Sequence, residues 1–207
     1  MIQRRALLAM LLAGAAMLPA FMAPAWAQGV GPSQQIVALD SGLLAVMQAG
    51  KATPFAQRVA MLLPTIQRTF ALDVVLAASV GPRFADFPPA AKADLLAAFT
   101  DFTVANYVAN FNGFSGEKFP VDPQTRAVGA DQVVHSQIVP RSGDPTTIDY
   151  VMRQTPAGWQ VVDVLLDGSI SRVAVQRSDF RSLLGSGSAT PLIASLRKRA
   201  AALAAHG

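Results

Sequence analysis

Cysteine is absent from all 207 residues, so no disulfide framework, thiolate metal site or cysteine nucleophile is available. Histidine is nearly absent. His135 and His206 are the two present, and they form no pair at metal-ligand spacing. A serine nucleophile needs a Gly-x-Ser-x-Gly elbow, which Phe114-Ser115-Gly116 does not supply. Gly185-Ser186-Gly187-Ser188 lacks the lysine and the preceding strand of a phosphate loop. Asp163 and Asp167 could share a face as paired glycosidase acids do. Asp167-Gly168 is ordinary turn chemistry, however, and Asp163 suits an arginine or a backbone amide. His135, Asp163 and Asp167 are therefore expected to be structural, with no catalysis, metal or cofactor.

Charge is sparse as well, at 14 % of residues, and basic side chains form no run before the C-terminal tail. Nothing in that distribution suits a nucleic-acid backbone. Aromatic residues make up 7 % of the chain, so a cluster of them is informative.

What is present begins with an export signal. Met1 to Arg5 is a short basic start, Ala6 to Met22 is uncharged, and Pro24-Ala25-Trp26-Ala27 places small residues where a signal peptidase reads. Residues 1–27 are expected to be a signal peptide cleaved after Ala27, which makes the protein periplasmic. A membrane anchor is the rival reading, but the run is interrupted by Gly14 and Pro19 and falls short of the usual ~20-residue span. The remaining chain, 28–207, is expected to be one domain. Removing Arg4 and Arg5 from the 17 basic residues, against 13 acidic, halves the formal net charge of +4.

Within that domain the apolar periodicity changes character along the chain. Ser33 to Ala49 repeats Ile36, Leu39, Leu43, Leu44 and Met47 at helical steps and stops at Gly50. A second helix is expected from Phe55 after Thr53 as cap, with a break at Pro64. A third is expected over Ile66 to Val80, with Phe70, Val74 and Ala77 on one face, ended by Gly81-Pro82. Pro89 to Phe111 is the clearest helix, and Phe99, Phe102, Tyr107 and Phe111 concentrate four rings in it. Strands follow at Val133–Val139, Thr146–Gln154 and Trp159–Leu166, joined by short turns and hence antiparallel. In the middle one, Ile148, Tyr150 and Met152 alternate with Thr147, Asp149 and Arg153. Gln176–Leu184 and Pro191–Ala205 return to helix. The expected fold is α+β, with helices packed over a small antiparallel sheet as an NTF2-like cup and an apolar cleft between them.

Several stretches carry a family resemblance. Phe99-Thr-Asp-Phe102-Thr-Val-Ala-Asn-Tyr107, with Phe111 and Gly116, resembles the long helix of the toluene-tolerance (MlaC-type) family of periplasmic lipid carriers. Ile148-Asp-Tyr150-Val-Met-Arg153 and Gly158-Trp159 through Ser171 resemble its paired strands; Arg177 to Phe180 and Leu192 to Leu196 resemble its closing helices. The N-terminal half, through Leu43-Leu44, Thr53-Pro54-Phe55, Phe70 and Val80-Gly81, is most similar to the hopanoid-associated HpnM-type branch. The resemblance implies no enzymatic activity. It implies a shuttle that carries a phospholipid or hopanoid between inner and outer membranes, with lipid-transport complexes in both as partners. The alternative is a non-catalytic envelope adaptor with a filled core and no lipid.

The candidate cleft lining taken from these readings is Phe70, Phe99, Phe102, Tyr107 and Phe111 from the helices. Ile148, Tyr150, Met152, Trp159 and Phe180 complete it. If Met152 faces the cleft, Met152→Trp fills it and displaces the ligand at little cost in stability.

Overall fold

The chain enters its first helix, α1 (Pro32–Ala49), with a proline in the first turn, where no backbone amide is needed. The computed structural model describes residues 30–207; the expected signal peptide 1–27 and its cleavage after Ala27 lie outside the described residues. Gly50 ends α1 in a left-handed conformation, φ 62°, and its amide bonds Val46 O at 3.2 Å.

The second and third helices depart from expectation. α2 (Phe55–Thr69) runs straight through Pro64. Ala60 and Pro64 are both exposed, so water can take the Ala60 carbonyl that proline leaves unpaired. Thr53 does not cap α2, since its hydroxyl donates back to Ala49 O at 2.9 Å. The break falls instead at Phe70-Ala71, before α3 (Leu72–Val80). Phe70 is extended there, φ −105° and ψ 135°, and bridges in parallel to Val161. Ala71 N–H donates to Val161 O at 3.0 Å. Tertiary pairing overrides the helical pattern at this corner. Within α3 the buried residues are accordingly Leu72, Val75, Leu76, Ser79 and Val80; of the expected face, Phe70 is buried but precedes the helix, and Val74 and Ala77 are only partly buried.

A 3₁₀ turn over Pro82–Asp86 leads into α4 (Pro89–Asn110), the longest helix among the described residues. Five strands then form one meander: β1 (Val121–Val128), β2 (Asp131–Ile138), β3 (Thr146–Thr155), β4 (Gly158–Leu166) and β5 (Ile170–Ser171). Every neighbouring pair is antiparallel. β1 gave no strand signal because nearly all of it is exposed, so neither face needs apolar alternation. On β3, Ile148, Tyr150 and Met152 are buried on one side. The opposite side carries exposed pairs, His135 to Asp149 and Arg153 to Asp131, both at 2.7 Å. The chain closes with α5 (Arg172–Arg181), a 3₁₀ turn and α6 (Thr190–His206), which packs along α4. Among the described residues this is an α+β fold in which six helices pack with the five-stranded sheet.

Candidate functional site

α4 and the α2–α3 corner do not close completely on the sheet. Between them lies a cavity of about 490 Å³, in the size range of small-molecule sites. Its sheet wall is Ile138 of β2, Ile148 and Tyr150 of β3, and Val161, Val164 and Leu166 of β4. Register explains that grouping: Ile148 lies opposite Leu166 and Tyr150 opposite Val164, and cross-strand partners face the same side. The helical wall carries a row of rings. Phe70 meets Tyr107 at 5.8 Å between centroids, Tyr107 stacks on Phe111 at 6.0 Å, and Phe119 backs Phe111 at 6.2 Å. The corner bond from Ala71 to Val161 is what swings the Phe70 ring into this row.

Seven of the ten sequence-nominated residues line the cavity: Phe70, Phe99, Phe102, Tyr107, Phe111, Ile148 and Tyr150. Met152, Trp159 and Phe180 do not. Met152 is fully buried opposite Val161, beyond Tyr150 along β3 and after a register shift. Trp159, second in β4 and partly buried, lies opposite Gln154 and outside the lining. Phe180 meets the back of Phe99 edge-on, at 6.5 Å and 88°. Met152 and Phe180 belong to closed packing, and the expectation that Met152→Trp fills the cleft is corrected accordingly.

The polar part of the lining was mostly missed. It comprises Thr103, Asn106 and Asn110 on α4, Thr146 on β3, Asp163 on β4, and Arg172 and Gln176 on α5. Arg172 escaped because α5 was expected to begin at Gln176. The signal was there: Ser171 is a good cap, and its hydroxyl accepts from Ala174 N–H at 3.0 Å.

Asp163 holds this corner together. It accepts from the Ser171 hydroxyl at 2.5 Å, from Val173 N–H at 3.1 Å and from Val164 N–H at 2.8 Å. The carboxylate thus ties β4 to the first turn of α5, as the sequence reading of a structural acid expected. Asp163→Asn keeps the shape but weakens charge-assisted bonds, and is expected to destabilise the fold by ~1–3 kcal/mol in denaturant titrations. Asp167 lies outside β4 with φ 51°, in the turn position expected of it.

Titration of the buried groups is set by desolvation. Burial raises the Tyr107 hydroxyl, with Arg172 acting in the opposite direction and Asp40 adding to the rise. Burial also raises Tyr150. Asp40 on α1, behind the cavity wall, is pushed up to about 7 by burial. The lining therefore presents neutral phenols, amides and hydroxyls, one carboxylate and one guanidinium. Among the described residues, no cluster of histidine, aspartate and glutamate could hold a metal, and no helix is long and apolar enough to cross a membrane.

A family model described as MlaC protein matches residues 38–198 of this chain. No curated protein matches the sequence. Among solved structures, the chain is similar to a phospholipid-binding protein from Ralstonia solanacearum, determined in complex with a phospholipid. The TM-score is 0.69 at 20 % identity, covering 84 % of this chain and 98 % of that one. At that identity the likeness speaks for the fold.

Proposed function

Because this chain belongs to the MlaC protein family, we propose that it binds a membrane lipid in the cavity between α4 and the sheet, without chemistry. The chain then serves as a periplasmic shuttle, cleaved after Ala27, that carries a phospholipid or hopanoid between inner- and outer-membrane transport complexes. The carrying observation is the apolar cavity itself. A cavity of ~150 Å³ holds one benzene ring, so about 490 Å³ has room for roughly three such six-carbon volumes, the bulk of one long acyl chain. The phospholipid bound to the Ralstonia protein, which has the same fold, supports that reading.

Burial in such a wall is worth ~0.8 kcal/mol per methylene, on the order of 10 kcal/mol for a long chain. Extraction from a bilayer loses a similar amount. Loading and release can thus be close to balanced, which a shuttle needs and a storage protein does not. Organic extraction of the purified protein, followed by mass spectrometry, tests the proposal. The expected result is one lipid species near stoichiometric amount. Protein that carries no lipid and takes none from vesicles would favour the adaptor reading.

A further inference from the structure

Five arginines among the described residues already have acceptors. Arg153 and Arg197 pair with Asp131 and Asp94, while Arg58, Arg83 and Arg177 donate to the backbone carbonyls of Thr53, Leu184 and Ala78. Those without one among the described residues, Arg68, Arg126, Arg141, Arg181 and Arg199, are exposed to water. Arg172 differs from both groups. It is half-buried, it lines the cavity, and among the described residues neither a carboxylate nor a carbonyl takes its guanidinium. A partly desolvated cation without a counter-charge is unfavourable by itself.

We propose that Arg172 binds the anionic oxygens of the lipid, phosphate or carboxylate, while the chain occupies the aromatic and aliphatic part of the cavity. This rests on the lipid-binding reading above and adds a preference by charge.

The surroundings leave that role open. Asp163 is the one acidic residue in the lining, and its oxygens are engaged by Ser171, Val173 and Val164. Two first-turn amides of α5 are engaged too, Val173 by Asp163 and Ala174 by Ser171. The attraction for an anion therefore rests mainly on the Arg172 side chain. Arg172 also acts electrostatically on the Tyr107 hydroxyl, so its charge is felt across the cavity at α4. On that helix Thr103 lines the same cavity with a buried hydroxyl that has no hydrogen-bond partner. A ligand oxygen would satisfy it. A neutral lipid would leave the guanidinium uncompensated, so the site should discriminate against one.

The test uses the delipidated protein and three ligands with one chain: dodecyl phosphate, dodecanoate and dodecanol, each below its micelle concentration. Calorimetric titration is expected to show the two anions bound roughly ten- to a hundredfold more tightly than the alcohol, as charge-assisted hydrogen bonds give. Arg172→Gln should bring the anions down to the level of dodecanol, and Arg172→Lys should keep much of the preference. Equal affinity of the parent protein for all three would overturn the role of Arg172 and leave the lipid cavity standing. Binding of none would sink the lipid reading and this one with it. Arg172→Gln losing alcohol and anions alike would overturn it too, because the arginine would then shape the cavity rather than sense charge. Displacement of dodecyl phosphate by millimolar inorganic phosphate would mark a free-phosphate site and reject the lipid assignment of the anion.

Discussion

Val164→Trp lowers the lipid bound per protein at least tenfold while the melting temperature of the delipidated protein stays within a few degrees. Val164 stands opposite Tyr150 in the sheet wall, half-buried, with the cavity in front of it. An indole there occupies space that packing leaves empty, so it takes the ligand's place without forcing neighbours off their rotamers. Met152→Trp is the matched control. Its site is fully buried in the closed core, and the same enlargement overpacks it at a cost of ~1–3 kcal/mol or more. Lipid should stay bound to that variant while its melting temperature falls. The opposite pattern, lipid retained in Val164→Trp and lost in Met152→Trp, would move the binding space elsewhere in the molecule.

Asp40→Asn raises stability at pH 8 and changes little at pH 4. Both Asp40 carboxyl oxygens are buried without a hydrogen-bond partner. Burial raises its pKa from 3.8 to about 7. The folded state therefore binds this proton more tightly than the unfolded chain does. The stabilising contribution is fully present below about pH 4, declines as pH rises, and is lost above pH 7. Three pKa units correspond to roughly 2–4 kcal/mol once solvent relaxation is allowed for. Asparagine has nearly the same shape and does not titrate. Its melting temperature at pH 8 should exceed the parent's by roughly 5–15 °C for a domain of this size. Melting curves from pH 4 to 8 decide the matter, since parallel profiles would show that Asp40 is not the group responsible.

Local regularities made much of this fold legible. α4 declared itself by a proline start and a stripe of rings, and β3 by strict alternation of Ile148, Tyr150 and Met152 with polar neighbours. β1 stayed hidden because an exposed strand has no apolar code to display. The break at Phe70 was hidden for another reason: it is imposed by Val161, which is 91 positions away in the chain. The candidate site was legible as a face and not as a place. Alternation says that Ile148, Tyr150 and Met152 share a side, but it does not say where along the strand the covering helices stop touching them. That depends on long-range packing of α4 and the α2–α3 corner, so Met152 could not be told from its two cavity-lining neighbours. Polar lining was harder still. A half-buried arginine looks like a surface one until the elements around it are in place.

Because Ile148 and Tyr150 face the cavity while Met152, farther along the same strand, is sealed in the core, the two stretches of β3 answer to different constraints. Substitutions at Met152 put folding itself at risk whatever occupies the cavity. Changes at Ile138, Thr146 or Leu166, which line the cavity and are only partly buried or exposed, alter its wall at less cost to the core. The shape of the cavity can thus change at one end of one sheet over an unchanged foundation at the other.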